Sequence, residues 1–245
     1  MKLAAYALLG IVTLLLGTGC KTSYVTPGGR ADLTGITSFN MRESFEAKPA
    51  ASFPAGIAAV RVQTPGYRNY HTEREGGVYG SGRYSVVLVR EVEDDADLER
   101  LGKLPEVRGF IGLNRLLLPT ELRSDKELRE AAARLKADML LLYTFDTSFH
   151  DNDQSVALNL VTLGLSPTRK VFVRVAATAL LIDTRTGFVY AAIESNEKRD
   201  LRTNVWESNQ TADRARRDAE QAAFKKLVGE FEKAWPKVVE QGKKI

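Results

Sequence analysis

The sequence predicts an α/β domain: a mixed sheet flanked by helices, with a late β-hairpin and a long C-terminal helix. Three observations carry that expectation. Residues 124–136 form an amphipathic stretch that leads into Met139-Leu140-Leu141-Leu142-Tyr143-Thr144-Phe145, an apolar run without alternation. A strand that is apolar on both faces is a central strand with helices on each side. Residues 171–182 are again extended and apolar, and Asp183-Thr184-Arg185-Thr186-Gly187 separates them from Phe188-Val189-Tyr190-Ala191-Ala192-Ile193. Two extended runs around a turn ending on glycine make a hairpin, because glycine takes a positive φ without steric cost. From about Thr211, small and large apolar residues recur at helical spacing.

At the N-terminus, Lys2 precedes a short apolar run, residues 3–16, and Gly17-Thr18-Gly19 leads to Cys20. This is the three-part layout of a secretory signal. The run is shorter than the roughly 20 apolar residues that span a bilayer. Cys20 is the one cysteine of the chain, so an exported form has no internal disulfide. The Gly-Thr-Gly-Cys layout resembles the bacterial lipobox, whose thiol takes a diacylglycerol before the cysteine becomes the new N-terminus. Gly17 stands where that motif usually has Leu, and Leu16 lies one position further back. The resemblance implies a signal peptide over residues 1–19 and a Cys20 carrying acyl chains such as palmitate. Each buried methylene then contributes about 0.8 kcal/mol to membrane attachment. Lys21 follows in place of Asp, which resembles the pattern sent on to the outer membrane.

Residues 20–52 read as the lipidated cysteine and a tether, with the turn-former Pro27-Gly28-Gly29 and weak periodicity. Leu33, Ile36 and Phe39 recur at helical spacing, so part of the tether is expected to dock. Residues 53–245 read as a single α/β periplasmic domain, long enough for a sizeable core. Ile57-Ala58-Ala59-Val60-Arg61-Val62 and Ser85-Val86-Val87-Leu88-Val89 are strand-like, and residues 66–82, rich in glycine and tyrosine, read as a loop. Residues 94–101 can form a short helix. Ser124 with Glu127 is a capping box, and Leu128, Ala131, Ala132 and Leu135 give its helix an apolar face. In the terminal helix, Thr211 can cap, and Ala215, Ala219, Ala222, Leu227, Phe231 and Ala234 form the expected buried stripe. Pro236 is expected to end or kink it.

The block from Ser124 onward, with its Ile182-Asp183-Thr184-Arg185-Thr186-Gly187 turn, resembles the periplasmic domain of CsgG-type lipoproteins. It is similar also to the rhombotarget-lipoprotein type, with Leu160-Val161-Thr162-Leu163-Gly164 in place of that group's Trp-Thr-Leu-Val-Gly-like segment. That group's C-terminal Gly-Gly sorting tail is absent. The likeness implies a fold and an address but no chemistry. CsgG-type proteins can build secretion pores from two membrane hairpins per subunit, and the matching insertions here are residues 149–170 and 198–210. The second is polar throughout, and the first holds one apolar run, residues 156–165. Barrel strands need about 9–11 alternating residues each, so a pore is disfavoured.

A formal net charge of +4 over 245 residues describes a well-solvated surface and argues against a nucleic-acid partner. His71 and His150 have no ligand-spaced neighbours, and His150-Asp151-Asn152-Asp153 reads as a solvated loop. Gly76-Gly77-Val78-Tyr79-Gly80-Ser81-Gly82 lacks the lysine and helix start of a phosphate cradle and reads as a flexible loop. Asp183 and Arg185 read as turn residues. The expectation is therefore a chain with no catalytic, cofactor or metal site. Residues 157–165 are the one apolar segment the sheet does not require. They either pack over the domain edge or expose Leu158, Leu160, Val161, Leu163 and Leu165 to a partner. The expected partners are the membrane, through the Cys20 lipid, and an envelope protein or a second copy of the chain. The expected role is a non-catalytic binding or scaffolding module of the cell envelope; the alternative is a subunit of an oligomeric secretion channel.

Overall fold

A computed structural model describes residues 28–37, 41–153, 169–203 and 209–243. Cys20, Phe39 and the segment 157–165 lie outside the described residues. The architecture is a mixed α/β sandwich built on one seven-stranded sheet. Its centre is β1 (Ala55–Gln63), in which every residue is buried. Along one edge β1 pairs in parallel with β7 (Met139–Asp153), through 57–60 and 139–142. The other edge is shared. β5 (Val107–Gly112) runs parallel to residues 55–59, and β4 (Ser85–Val87) runs antiparallel to residues 61–63. β7 continues antiparallel into β8 (Arg169–Asp183) and then β9 (Val189–Thr203), each fifteen residues long.

Alternation along the central strands sorts the side chains into two cores. Met139, Leu141, Tyr143 and Phe145 face α6 (Asn209–Lys243) with Val173, Val175, Ala177, Ala179 and Leu181. Leu140 and Leu142 join Leu128, Ala131 and Ala132 of α5 (Asp125–Arg134) on the opposite face. The apolar run therefore is a strand with helices on each side. The capping box of α5 is present, with Ser124 Oγ accepting from a backbone N–H and Glu127 accepting from the Ser124 N–H at 3.0 Å. The β8–β9 turn closes as expected, with Gly187 at φ 74°.

Part of the tether docks, as expected: Ala31 and Ile36, the latter in α1 (Leu33–Ile36), are buried against α5's face of the sheet. The Ala31 N–H donates to Thr144 Oγ1 at 3.0 Å, and Ala50 N–H donates to Asp183 at 2.7 Å. The loop read over 66–82 contains α3 (Tyr70–Glu75), capped by a reciprocal Asn69–Thr72 box, then β2 (Val78–Tyr79) and β3 (Ser81–Gly82). Its glycines permit close strand approach: at Gly82, φ 113°, a Cβ would strike the backbone of Leu122 in β6 (Glu121–Leu122). β7 runs through residues 150–153, read as a loop, because residues 169–172 of β8 supply its ladder partners. β9 likewise runs through 198–203, the start of the second supposed insertion. Pro236 does not end α6, which continues to Lys243. Trp235 and Val238 on either side are buried and hold the last turns down while Pro236 faces solvent. The buried stripe is as expected at Ala215, Ala219, Leu227 and Phe231 but wider: Ala223, Phe224, Val228, Trp235 and Val238 are also in the core, whereas Ala222 and Ala234 are half-buried.

Candidate functional site

The residues singled out from the sequence are not brought together. Cys20, Leu158, Leu160, Val161, Leu163 and Leu165 fall outside the described residues. His71 lies on α3 and faces Glu75 at 3.3 Å. Asp183 is fully buried in the hairpin turn, where one carboxylate oxygen accepts from the N–H groups of Arg185 and Thr186. The other accepts from Ala50 N–H and the Tyr190 hydroxyl. Arg185 donates to Asp138 at 3.2 Å. Both are turn residues that also pin residue 50 to the domain.

The chemistry that the sequence did not flag lies between β1, β7 and α6. Arg61 and Arg216 are fully buried. Arg216 donates from Nε to Asp213 at 2.9 Å, from Nη1 to Glu220 at 2.6 Å and from Nη2 to Glu91 at 2.8 Å. Arg61 donates to Glu220 at 3.2 Å and to the Tyr67 hydroxyl at 2.9 Å, and its guanidinium lies 4.6 Å from the Phe145 ring centre. Thr147 donates to the second oxygen of Glu220 at 2.7 Å, and Asn69 donates to Glu91 at 2.9 Å. Burial opposes the charge on both arginines, but the facing carboxylates outweigh it and hold both well above their ordinary range. Burial also works against ionisation of Glu91, yet Arg216 and Arg61 outweigh it and hold Glu91 below the usual carboxylate range. These groups are an internal clamp of paired, buried charges, within which Arg61 Nε is left without a hydrogen-bond partner.

Glu91 belongs to the segment that joins β4 to α4 (Asp95–Gly102), and its place in the clamp positions Glu93 two residues on. Glu93 is 9% exposed and lies at the floor of a cleft of about 480 Å³ between α4, β5 and β1. Tyr143 of β7 donates to Glu93 Oε1 at 2.9 Å, and Val92 N–H donates to Oε2 at 3.3 Å. Ala59, Leu98, Phe110 and Gly112 supply the apolar wall; Arg90, Asp95, Glu99 and Lys103 form the rim. α4 is fixed by the Asp94 cap, by buried Leu101 and by Arg100 reaching Glu232 of α6 at 2.7 Å. Burial, then the nearby Glu93 carboxylate, pushes the Tyr143 hydroxyl well above its ordinary value. It therefore keeps its proton at neutral pH and serves as a donor. No group of three or more metal-ligating side chains occurs among the described residues.

Signals for these residues existed. Asp213, Arg216 and Glu220 fall at helical spacing beside Ala215, Ala219 and Ala223, so charges share the buried side of α6. Arg61 interrupts the apolar run 57–62 of β1. The Glu93–Tyr143 pair carries no local signal, because fifty positions separate its members.

No protein-family model matches this sequence, and no curated protein matches it. Among solved structures, the chain is similar to a lipoprotein of Neisseria meningitidis at 12% identity, over 69% of this chain and 99% of that one, with a TM-score of 0.30. It is similar to a hypothetical protein of Chlamydia trachomatis at 11% identity, over 73% of this chain and 95% of that one, with a TM-score of 0.32. Likenesses this distant transfer neither a site nor a role, and they do not bear on the CsgG-type resemblance.

Proposed function

We propose that this chain is a lipid-anchored protein of the bacterial cell envelope, held at the outer membrane and facing the periplasm, that binds or scaffolds other envelope components without catalysis. The anchor rests on the signal-like residues 1–19 and on Cys20. The observation that carries the non-catalytic reading is the engagement of the buried charges with one another: Arg216 with Asp213, Glu91 and Glu220, and Arg61 with Glu220. Pairs of this kind hold α6 to the sheet.

A second reading, a channel subunit, is favoured by one feature. β7, β8 and β9 extend beyond the four-residue ladder with β1 as a three-stranded arm. The arm's open face carries Asp146, Ser148, Arg174, Asn196 and Lys198, which is unsuited to lipid. Light scattering and electron microscopy of the full chain in detergent separate the two readings. Single copies or small closed assemblies are expected. Rings that insert into liposomes would replace the scaffold reading with the channel.

A further inference from the structure

On the anchored reading above, we infer that α2 (Met41–Glu46) is a membrane-contact element: it lays Met41 and Phe45 into the lipid surface that holds Cys20, and so sets which face the domain turns to the bilayer. α2 has no buried residue; Met41 is 77% exposed and Phe45 87%. Four positions apart, the two side chains are neighbours on one helix face. Glu43, Ser44 and Ala47 line the other side, toward Asp125, Arg129 and Gly187. The helix is therefore inverted, with polar side chains toward the domain and its large apolar pair toward the outside. A helix that only joined α1 to β1 would turn that pair inward, where an amphipathic helix gains its stability. Six residues form no stable helix alone, so the outward pair gains from a cover.

The course of the chain points to the bilayer as that cover. Cys20 precedes Gly28 by eight residues, a leash of at most about 28 Å. The leash ends where the chain docks: Thr64 N–H donates to the Gly29 carbonyl at 3.3 Å, and Ala31 N–H to Thr144 Oγ1 at 3.0 Å. From there the chain passes Thr178, Leu180 and Ala192 of β8 and β9. Just after α2, the Thr186 hydroxyl donates to the Lys48 carbonyl at 2.7 Å. The docked segment and α2 therefore lie on the side of the sheet that carries α5, opposite α6. A bilayer one leash length away is always present on that side, at high effective concentration, whereas a protein partner has to be supplied. Residues 41–48 hold two basic and two acidic side chains, Arg42, Lys48, Glu43 and Glu46, so the apolar pair and not net charge carries the contact. Acyl chains hold the protein to the membrane but leave a domain on a leash free to turn; a second, apolar contact fixes its orientation.

Photo-cross-linking tests the assignment. The full acylated chain, with p-benzoylphenylalanine in place of Phe45, is reconstituted into phosphatidylcholine vesicles and irradiated, and adducts are identified by mass spectrometry. A phospholipid adduct at position 45 is expected. The same probe in place of Gln221, exposed on α6, is expected to give at least fivefold less. Met41→Asp beside the probe at position 45 is expected to lower the phospholipid adduct at least fivefold with an unchanged melting temperature. No phospholipid adduct at position 45, or an equal yield at position 221 as a freely turning domain would give, would overturn the proposal. An undiminished yield in Met41→Asp, or a melting temperature lowered by that substitution, would overturn it too. Irradiation in cells is expected to give the same phospholipid adduct; an adduct with another protein or with a second copy of the chain in its place would assign the pair to that partner instead. Acylation at Cys20 is read from the same spectra, so a missing anchor and a missing α2 contact are distinguishable.

Discussion

Arg216→Met is expected to be among the most damaging single substitutions in the folded domain. Arg216 is 0% exposed, and its guanidinium faces Asp213, Glu91 and Glu220, whose side chains are 3%, 1% and 0% exposed. Methionine fills most of the volume but removes the charge. Arg61 then remains against Glu91 and Glu220, and Asp213 retains only the more distant Arg217 at 3.6 Å. Breaking a buried pair by deleting one partner costs about 3–5 kcal/mol, because the orphaned charge stays desolvated. Against a total stability of about 5–15 kcal/mol, that loss would leave the domain marginal. The double variant Arg216→Met, Glu220→Leu removes one charge of each sign and leaves Arg61 paired with Glu91. It should therefore be more stable than the single variant. The pH dependence has a defined sign. Glu91 is lowered in the fold from an ordinary value of 4.5, so its contribution is complete above pH 4.5 and is lost as pH falls through the depressed value. In Arg216→Met the orphaned carboxylates take up protons more readily, and the gap to wild type should narrow on acidification. Urea unfolding followed by circular dichroism at pH 7 and pH 4 measures both effects. A single-variant cost below about 1 kcal/mol, characteristic of an exposed ion pair, would refute the claim that this cluster clamps α6 to the sheet.

Other substitutions test separate links. Ser124→Ala removes one half of the α5 capping box and should cost about 1 kcal/mol in the same assay. Pro236→Ala should stabilise α6 by up to about 3 kcal/mol, since the proline sits at an exposed helical position and gives up one backbone hydrogen bond. Replacing Leu160 and Leu163 together with Asp should abolish partner capture without lowering the melting temperature if residues 157–165 form a contact surface; a lowered melting temperature with unchanged assembly would identify them as packing residues instead.

The fold was legible where local pattern and tertiary environment agree. The run 139–145, the Asp183–Gly187 turn and the Ser124–Glu127 box each state their structure within a few residues. Legibility failed where a distant partner decides. Residues 150–153 look like a polar loop by composition, yet the ladder with β8 extends them. β5 has the sequence Val107-Arg108-Gly109-Phe110-Ile111-Gly112, half-buried only at Val107 and Phe110, whose pattern is broken by glycines and which is a strand because β1 lies beside it. Pro236 obeys its local rule less than the burial of Trp235, whose indole N–H donates to Pro105 at 2.7 Å. The cleft was hidden for the same reason. Glu93 and Tyr143 acquire meaning only when the sheet brings them together.

The claim on which the functional account stands is acylation at Cys20, and it has a direct measurement. Cells expressing the full chain are grown with labelled palmitate, and the envelope protein is analysed by mass spectrometry. The account predicts a protein beginning at Cys20 that carries diacylglycerol and label, with both lost in Cys20→Ser. An envelope protein that begins elsewhere, or that is unlabelled with a free thiol at Cys20, would contradict it.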